Sequence, residues 1–356
     1  MTAPFILSLD AMGGDYAPEI VVKGAAIART RYPSAHFLFF GDEAKIKPLL
    51  IADKALSACS TIRHTDHVIT NDAKPSQAIR QGRQSSMWKA IEAVKNGEAG
   101  GVVSAGNTGA LMAMAKLIMR PLPGIDRPAI CGLFPTRIGE TCMLDLGANA
   151  VCDARNLVEF AIMGECFARA ILGLERPSVG LLNIGSEDVK GTDSLREASQ
   201  ILRSSHLDME FKGFIEGDDI TAGTVDVVVT DGFTGNVALK TAEGTAKLFS
   251  FLLKSAIKSS WLAMFGMIFA KPVISQVMAR TDARRYNGAL FVGLNGVVVK
   301  SHGGTDAVGF ANAIGVAVDM IARDLNAKIA AELARIAAEQ ATPEFKEAVG
   351  AGVAPQ

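Results

Sequence analysis

A short apolar run, Phe5 to Leu9, ends at Asp10, and a Gly-Gly turn and a helically spaced stretch follow in "ILSLDAMGGDYAPEIVVKGAAIA". The same order recurs: a β-branched or aliphatic run, a turn holding glycine with Asp, Asn, Ser or His, then apolar positions at helical spacing. It is found in "GGVVSAGNTGALMAMAKLIM", "CMLDLGANAVCDARNLVEFA", "VGLLNIGSEDVKGTDSLREA", "DVVVTDGFTGNVALKTAEG" and "GVVVKSHGGTDAVGFANAI". Strands alternating with helices predict an α/β protein whose doubly wound, mostly parallel, Rossmann-like sheet lies between two helical layers. Such sheets bind ligands beyond the carboxyl ends of their strands. Each polar turn occupies such an end, so Gly13, Asn107, Asn149, Lys190, Asn236 and His302 are expected to line one cleft.

Two stretches break the pattern. Residues 249–285 hold six basic residues against the single acid Asp282, interleaved with Trp261, Phe265, Phe269 and several methionines. After Ala341 the chain turns to Gly, Pro and small residues. The expected organisation is therefore one large α/β domain over 1–340, with an apolar and basic helical hairpin inserted at about 249–285 and a frayed tail over 341–356.

Composition adds mainly exclusions. With 36 basic and 37 acidic residues the formal charge is −1, so no global field favours nucleic acid, and charged partners must meet local patches. Five cysteines without C-x-x-C spacing predict free buried thiols instead of a disulfide framework or a zinc site, and no metal is expected. The N-terminus lacks the basic n-region of a signal peptide. The longest apolar run, Trp261 to Ala270, is half of the roughly 20 residues a bilayer span needs.

The chain also lacks a G-x-G-x-x-G dinucleotide turn, a Walker A loop, an H-E-x-x-H helix and a G-x-S-x-G elbow. No cofactor is expected. "HVITND", His67 to Asp72, has the H-x-x-x-x-D spacing of glycerolipid acyltransferases, but two positions match too easily by chance to carry an assignment. The glycine turns carry more. Turns feeding helix N-termini aim several backbone N–H groups at one point, and "SAGNTGA", with Gly106, Asn107, Thr108 and Gly109, suits an anion best. "NIGSEDVKG" adds Gly185 and the cation Lys190, while "SHGG" adds His302. Gly13 and Gly14 let the first turn approach a ligand, with Asp10 and Asp15 mainly setting its shape. For each turn alone, a tight capped connection is the plain alternative.

Seven ordered motifs then stand together: "LDAMGGDYAP", "KPSQAIRQGRQSSMWKAI", "VVSAGNTGALMA", "GIDRPAI", "LLNIGSEDVKGTD", "VVTDGFTGNVALKT" and "YNGALFVGLNGVVVKSHGG". From about residue 5 to 322 the chain resembles the bacterial phosphate acyltransferase family, the acyl-ACP:phosphate acyltransferases of phospholipid synthesis. The resemblance implies a homodimer that joins inorganic phosphate to the acyl group of an acyl carrier protein thioester. It also implies that the acyl phosphate passes to a membrane glycerol-3-phosphate acyltransferase, and that the enzyme attaches peripherally to the membrane. The implied fold is related to those of phosphotransacetylases and isopropylmalate dehydrogenases. The chain departs from the pattern at "DLGANAVCDARN", where an acid expected near Val151 stands at Asp153.

Phosphate is itself a nucleophile and a thiolate a tolerable leaving group, so no covalent Ser or Cys is required. On this reading the "AGNTGA" amides and Lys190 hold phosphate, and Asn183, Asn236 or His302 donates to the thioester oxygen. His302 is alternatively the acid that protonates the departing sulfur. For the hairpin, Trp261, Phe265 and Phe269 recur four apart, as in a buried helical stripe. The favoured alternative is contact with anionic lipid or the acidic carrier protein, aided by Lys254, Lys258, Lys271, Arg280, Arg284 and Arg285. Two other readings follow: an enzyme using coenzyme A thioesters, and a non-catalytic scaffold that docks carrier protein.

Overall fold

A computed structural model describes residues 5–340 except 206, 208, 281, 283 and 285. The expected tail and Arg285 lie outside the described residues, as does the side chain of Arg280. Among the described residues eleven strands form one sheet. They are β1 (Ile6–Asp10), β2 (His36–Gly41), β3 (Ser60–His64), β4 (Gly101–Ser104), β5 (Ala129–Pro135) and β6 (Glu140–Leu144). β7 (Ser178–Leu182), β8 (Glu210–Ile215), β9 (Val227–Val229), β10 (Ala289–Val292) and β11 (Val297–Lys300) complete it. Their spatial order is β3-β2-β1-β4-β11-β10-β5-β6-β9-β7-β8.

Side-chain alternation sorts the strands between two cores, as period 2 requires. Leu7, Leu9, Phe37, Phe39, Val297 and Val299 face one core, filled from outside by the helices Glu19–Arg31, Ala154–Ile171 and Ala307–Ala322. Leu38, Phe40, Val102 and Val298 face the other, under the helices Ser86–Lys95 and Thr108–Met119. The expected three-layer α/β fold is present. Polar residues after the strands start the helices by capping: Asn107 accepts from Ala110 N, Asp231 from Thr234 N and Asp306 from Gly309 N, at 2.8–2.9 Å.

The strand directions modify one expectation. β10 is antiparallel to both β11 and β5, and β5 is antiparallel to β6; every other pairing is parallel. β1 to β4 and β11 therefore end at one edge of the sheet, whereas β6, β9, β7 and β8 end at the opposite edge. The six polar turns form two groups and not one row. The 27-residue helix Gly232–Lys258, about 40 Å long, starts at the second group, and Lys240 on its third turn lies within electrostatic reach of Lys300 and His302 in the first.

Candidate active site

The chain leads outward from β1 to β2 and β3, then returns to β4 on the other side of β1. The crevice between the ends of β1 and β4 is a topological switch point, where open α/β sheets bind ligands. β11 lies beside β4 and adds its own turn.

Three glycine turns meet there. A Cβ on Gly13 would lie 2.8 Å from Gly106 N and 2.5 Å from Asp10 Oδ2. Gly14 has φ +105°, and a Cβ there would meet Ala105 Cβ at 3.0 Å and Gly303 O at 3.1 Å. Only glycine permits both that backbone angle and that approach. Asp15 N–H donates to Gly303 O at 3.0 Å, which ties the first turn to the third.

The two acids beside Gly13 and Gly14 have different tasks. Asp10 is buried, and its carboxylate accepts from the Ser86 and Ser104 hydroxyls at 2.6 Å each. Ser104 Oγ accepts in turn from Gly106 N–H at 3.1 Å, so Asp10 anchors the β4 turn through one bridging hydroxyl. Burial raises its pKa, against the pull of those hydroxyls, Met12 N–H and Lys300. Asp15 lies further out and accepts from Asn71 Nδ2 at 2.8 Å.

Lys300, the last residue of β11, points into this convergence and was not among the residues singled out from sequence. Its Nζ donates to Ala105 O at 3.4 Å and to Ser301 O. Burial pushes its pKa down to about 8; Asp10 and Asp15 oppose the fall and Lys240 adds to it. His302 follows, its backbone N–H fixed by the buried Asn287 Oδ1 at 2.8 Å. Gly304 N–H donates to His302 Nδ1 at 3.2 Å, so Nε2 carries the hydrogen of the neutral ring. Burial, then Lys240 and Lys300, hold that imidazole below its ordinary pKa.

The other sequence candidates divide. Asn107 gives both amide hydrogens to Asn71 O and Ala73 O, at 2.8 and 3.0 Å, besides capping the helix that Thr108 and Gly109 begin. It shapes the turn and has no side-chain donor left for a ligand, whereas the first N–H groups of that helix have no intrahelical acceptor. Lys190, Asn183 and Gly185 lie at the opposite edge, at the second switch point between β7 and β9. Lys190 sits 3.7 Å from Glu187, and Asn183 Nδ2 closes its own turn on Lys190 O at 3.2 Å. No described contact joins Lys190 to the "AGNTGA" turn; its described partner is Glu187. Asn236 donates to Leu146 O at 3.1 Å, and Asn149 to Pro128 O and Asp145.

In the hairpin region, the buried residues of Gly232–Lys258 are Gly232 and Gly235, at its first turn. Trp261 is 73% exposed, Phe265 59% and Phe269 76%, so the aromatic stripe is not covered by the described residues. Lys271 is exposed. Arg284 is instead paired with Asp282 and with Asp306, at 3.1 Å from the latter. Among the described residues no helix is long and apolar enough to cross a membrane, and no cluster could hold a metal ion.

These features define an α/β protein with the phosphotransacetylase fold. A phosphotransacetylase from Streptococcus pyogenes superposes with a TM-score of 0.62 at 18% identity, over 90% of this chain and 94% of that one. A branched-chain phosphotransacylase from Enterococcus faecalis gives 0.55 at 15% identity, over 89% and 99%. Sequence comparison is more specific. A family described as "Fatty acid synthesis protein" matches residues 5–328. A phosphate acyltransferase from Rhodospirillum rubrum is 61% identical over 98% of this chain and 100% of its own length, and one from Paramagnetospirillum magneticum is 59% identical over 96% and 98%. The chain belongs to this family, the phosphate acyltransferases, and is an enzyme of that kind.

Proposed function

We propose that this enzyme transfers the fatty acyl group of an acyl carrier protein thioester to inorganic phosphate, yielding acyl phosphate for phospholipid synthesis. The observation that carries the proposal is the junction of three glycine turns at the β1/β4 switch point, with Lys300 and His302 at its wall, in a member of the phosphate acyltransferase family. Phosphate attacks the thioester carbon directly, with no acyl-enzyme. The crevice positions both reactants, and the Nε2–H of His302 donates to the carbonyl oxygen as it becomes an oxyanion. Asn183, Asn236 and Lys190 act on the turns of the second switch point and not on the reacting atoms. Thiol release from palmitoyl-ACP against palmitoyl-CoA, with phosphate present, tests the donor; preference for the coenzyme A thioester would make the enzyme phosphotransacetylase-like.

The same reading gives the enzyme a homodimeric state, the membrane glycerol-3-phosphate acyltransferase as consumer of its product, and peripheral membrane contact through the hairpin. Exposed Trp261, Phe265 and Phe269 beside Lys254, Lys258 and Lys271 match the apolar and cationic faces of an interfacial helix. With vesicles containing anionic lipid, the double substitution Trp261→Ser/Phe265→Ser is expected to lower co-flotation at least fivefold. Co-flotation equal to wild type would remove the hairpin from the membrane.

A further inference from the structure

We infer that Lys300 is a catalytic residue, the acid that protonates the sulfur leaving the thioester. This rests on the acyl transfer proposed above and assigns a step within it. Two N–H groups of the ammonium are held by the Ala105 and Ser301 carbonyls, which fix its position at the wall of the crevice. An ammonium has three donors; the third is left for a reactant. Lys300 lies on the same face of β11 as Val298, toward the helices Thr108–Met119 and Gly232–Lys258.

The charges around it suit an acid better than a phosphate ligand. Asp10 and Asp15 bring two carboxylates into its field from the β1 turn, which disfavours seating a dianion against this nitrogen. Lys240 acts on it from the long helix, and Glu243 and Lys247 act on the neighbouring His302. Lys240 is itself ion-paired with Glu243 at 2.9 Å. Lys300, with a pKa near 8, is close to a thiol at about 8.5, the match that proton transfer favours. His302 is poorly placed for the task, because its pKa is depressed and the ring is neutral near pH 7.

The step balances. An oxygen of HPO4 2− bonds to the carbonyl carbon, the C–S bond breaks and its electron pair stays on sulfur. Lys300 gives that sulfur a proton, and solvent carries the proton released from the phosphate hydroxyl back to the resulting amine. Acyl phosphate, free thiol and the original ammonium result, with no other reactant.

The test compares Lys300→Met and Lys300→Arg with wild type on two donors in phosphate buffer: palmitoyl-ACP, and a palmitoyl aryl thioester whose acidic thiol leaves without a proton. Lys300→Met is expected to lose about 10²-fold or more in kcat/KM on the carrier thioester, but less than about tenfold on the aryl thioester. The retained aryl activity shows that the variant is folded. Phosphate KM should move less than about threefold. Lys300→Arg keeps the charge but gives up its proton too reluctantly, so it should not rescue. Wild-type activity should fall as pH rises through about 8, and this limb should be absent from both variants. Equal losses on both donors, rescue by arginine, or a raised phosphate KM at unchanged kcat would each overturn the assignment. No turnover of either donor by wild type would instead defeat the acyl-transfer reading, and the Lys300 role with it.

Discussion

Gly235→Ala is expected to lower the stability of the enzyme by roughly 3 kcal/mol or more, at the upper end of what overpacking costs. The new Cβ would stand 2.0 Å from the backbone oxygen of Asp145 and 3.1 Å from its carbonyl carbon. That loop cannot withdraw. The Asp145 carboxylate accepts from Ile130 N at 2.9 Å, Gly147 N at 3.1 Å, Ala148 N at 3.0 Å and Asn149 N at 2.7 Å. The first turn of Gly232–Lys258 rests on a loop locked to the start of β5, so the added methyl must displace the helix. Gly244→Ala on the same helix is the control: nothing lies within 4 Å of its Cβ, and the change should be neutral or stabilise by about 0.5–1 kcal/mol. Urea unfolding midpoints read both. Similar midpoints for the two variants would show that the helix does not seat on Asp145 as described.

Asp10→Leu is expected to reduce kcat/KM by about 10²-fold or more, because misplacing reactants by about an ångström is that costly. The substitution strips the acceptor from two buried hydroxyls, Ser86 and Ser104. Each orphaned group costs about 1–3 kcal/mol, offset in part by removing a carboxylate whose burial already disfavours its charge. The functional loss comes through Gly106, whose N–H depends on Ser104, and through Gly13, which packs on the same carboxylate. Asp10→Asn retains the shape and an acceptor and should recover most of the activity. If Asp10→Leu folds and turns over like wild type, the β1 and β4 turns need no such anchor.

The sequence carried the α/β class, the strand-end turns and the capping residues, because those are local: a β-branched run, a glycine, an Asn or Asp three residues before a helical N–H. It also carried the family, through seven ordered motifs. What it hid is long-range. The antiparallel pairing of β5, β6 and β10 reverses half of the sheet, and nothing within those short apolar runs marks their direction. The strands that lead to Lys190 and to the "AGNTGA" turn run in opposite directions, which their sequences do not show. Asp10 owes its role to Ser86 and Ser104, 76 and 94 positions away. Lys300 was overlooked because a lysine closing "VVVK" reads as a solvated strand end; its place on a central strand beside "SHGG" was the available signal. The asparagines read as ligand donors because their amides are polar and turn-borne; in the fold Asn107 gives both amide hydrogens to backbone carbonyls, and Asn183 and Asn236 give one each.

The most direct test of the central claim is phosphate-dependent release of thiol from palmitoyl-ACP, with hydroxylamine present to trap acyl phosphate as the hydroxamate. The account predicts one hydroxamate per thiol, no release without phosphate, and slower turnover of palmitoyl-CoA. Thiol release that proceeds without phosphate, or none from folded protein supplied with lipid, would contradict direct transfer to phosphate.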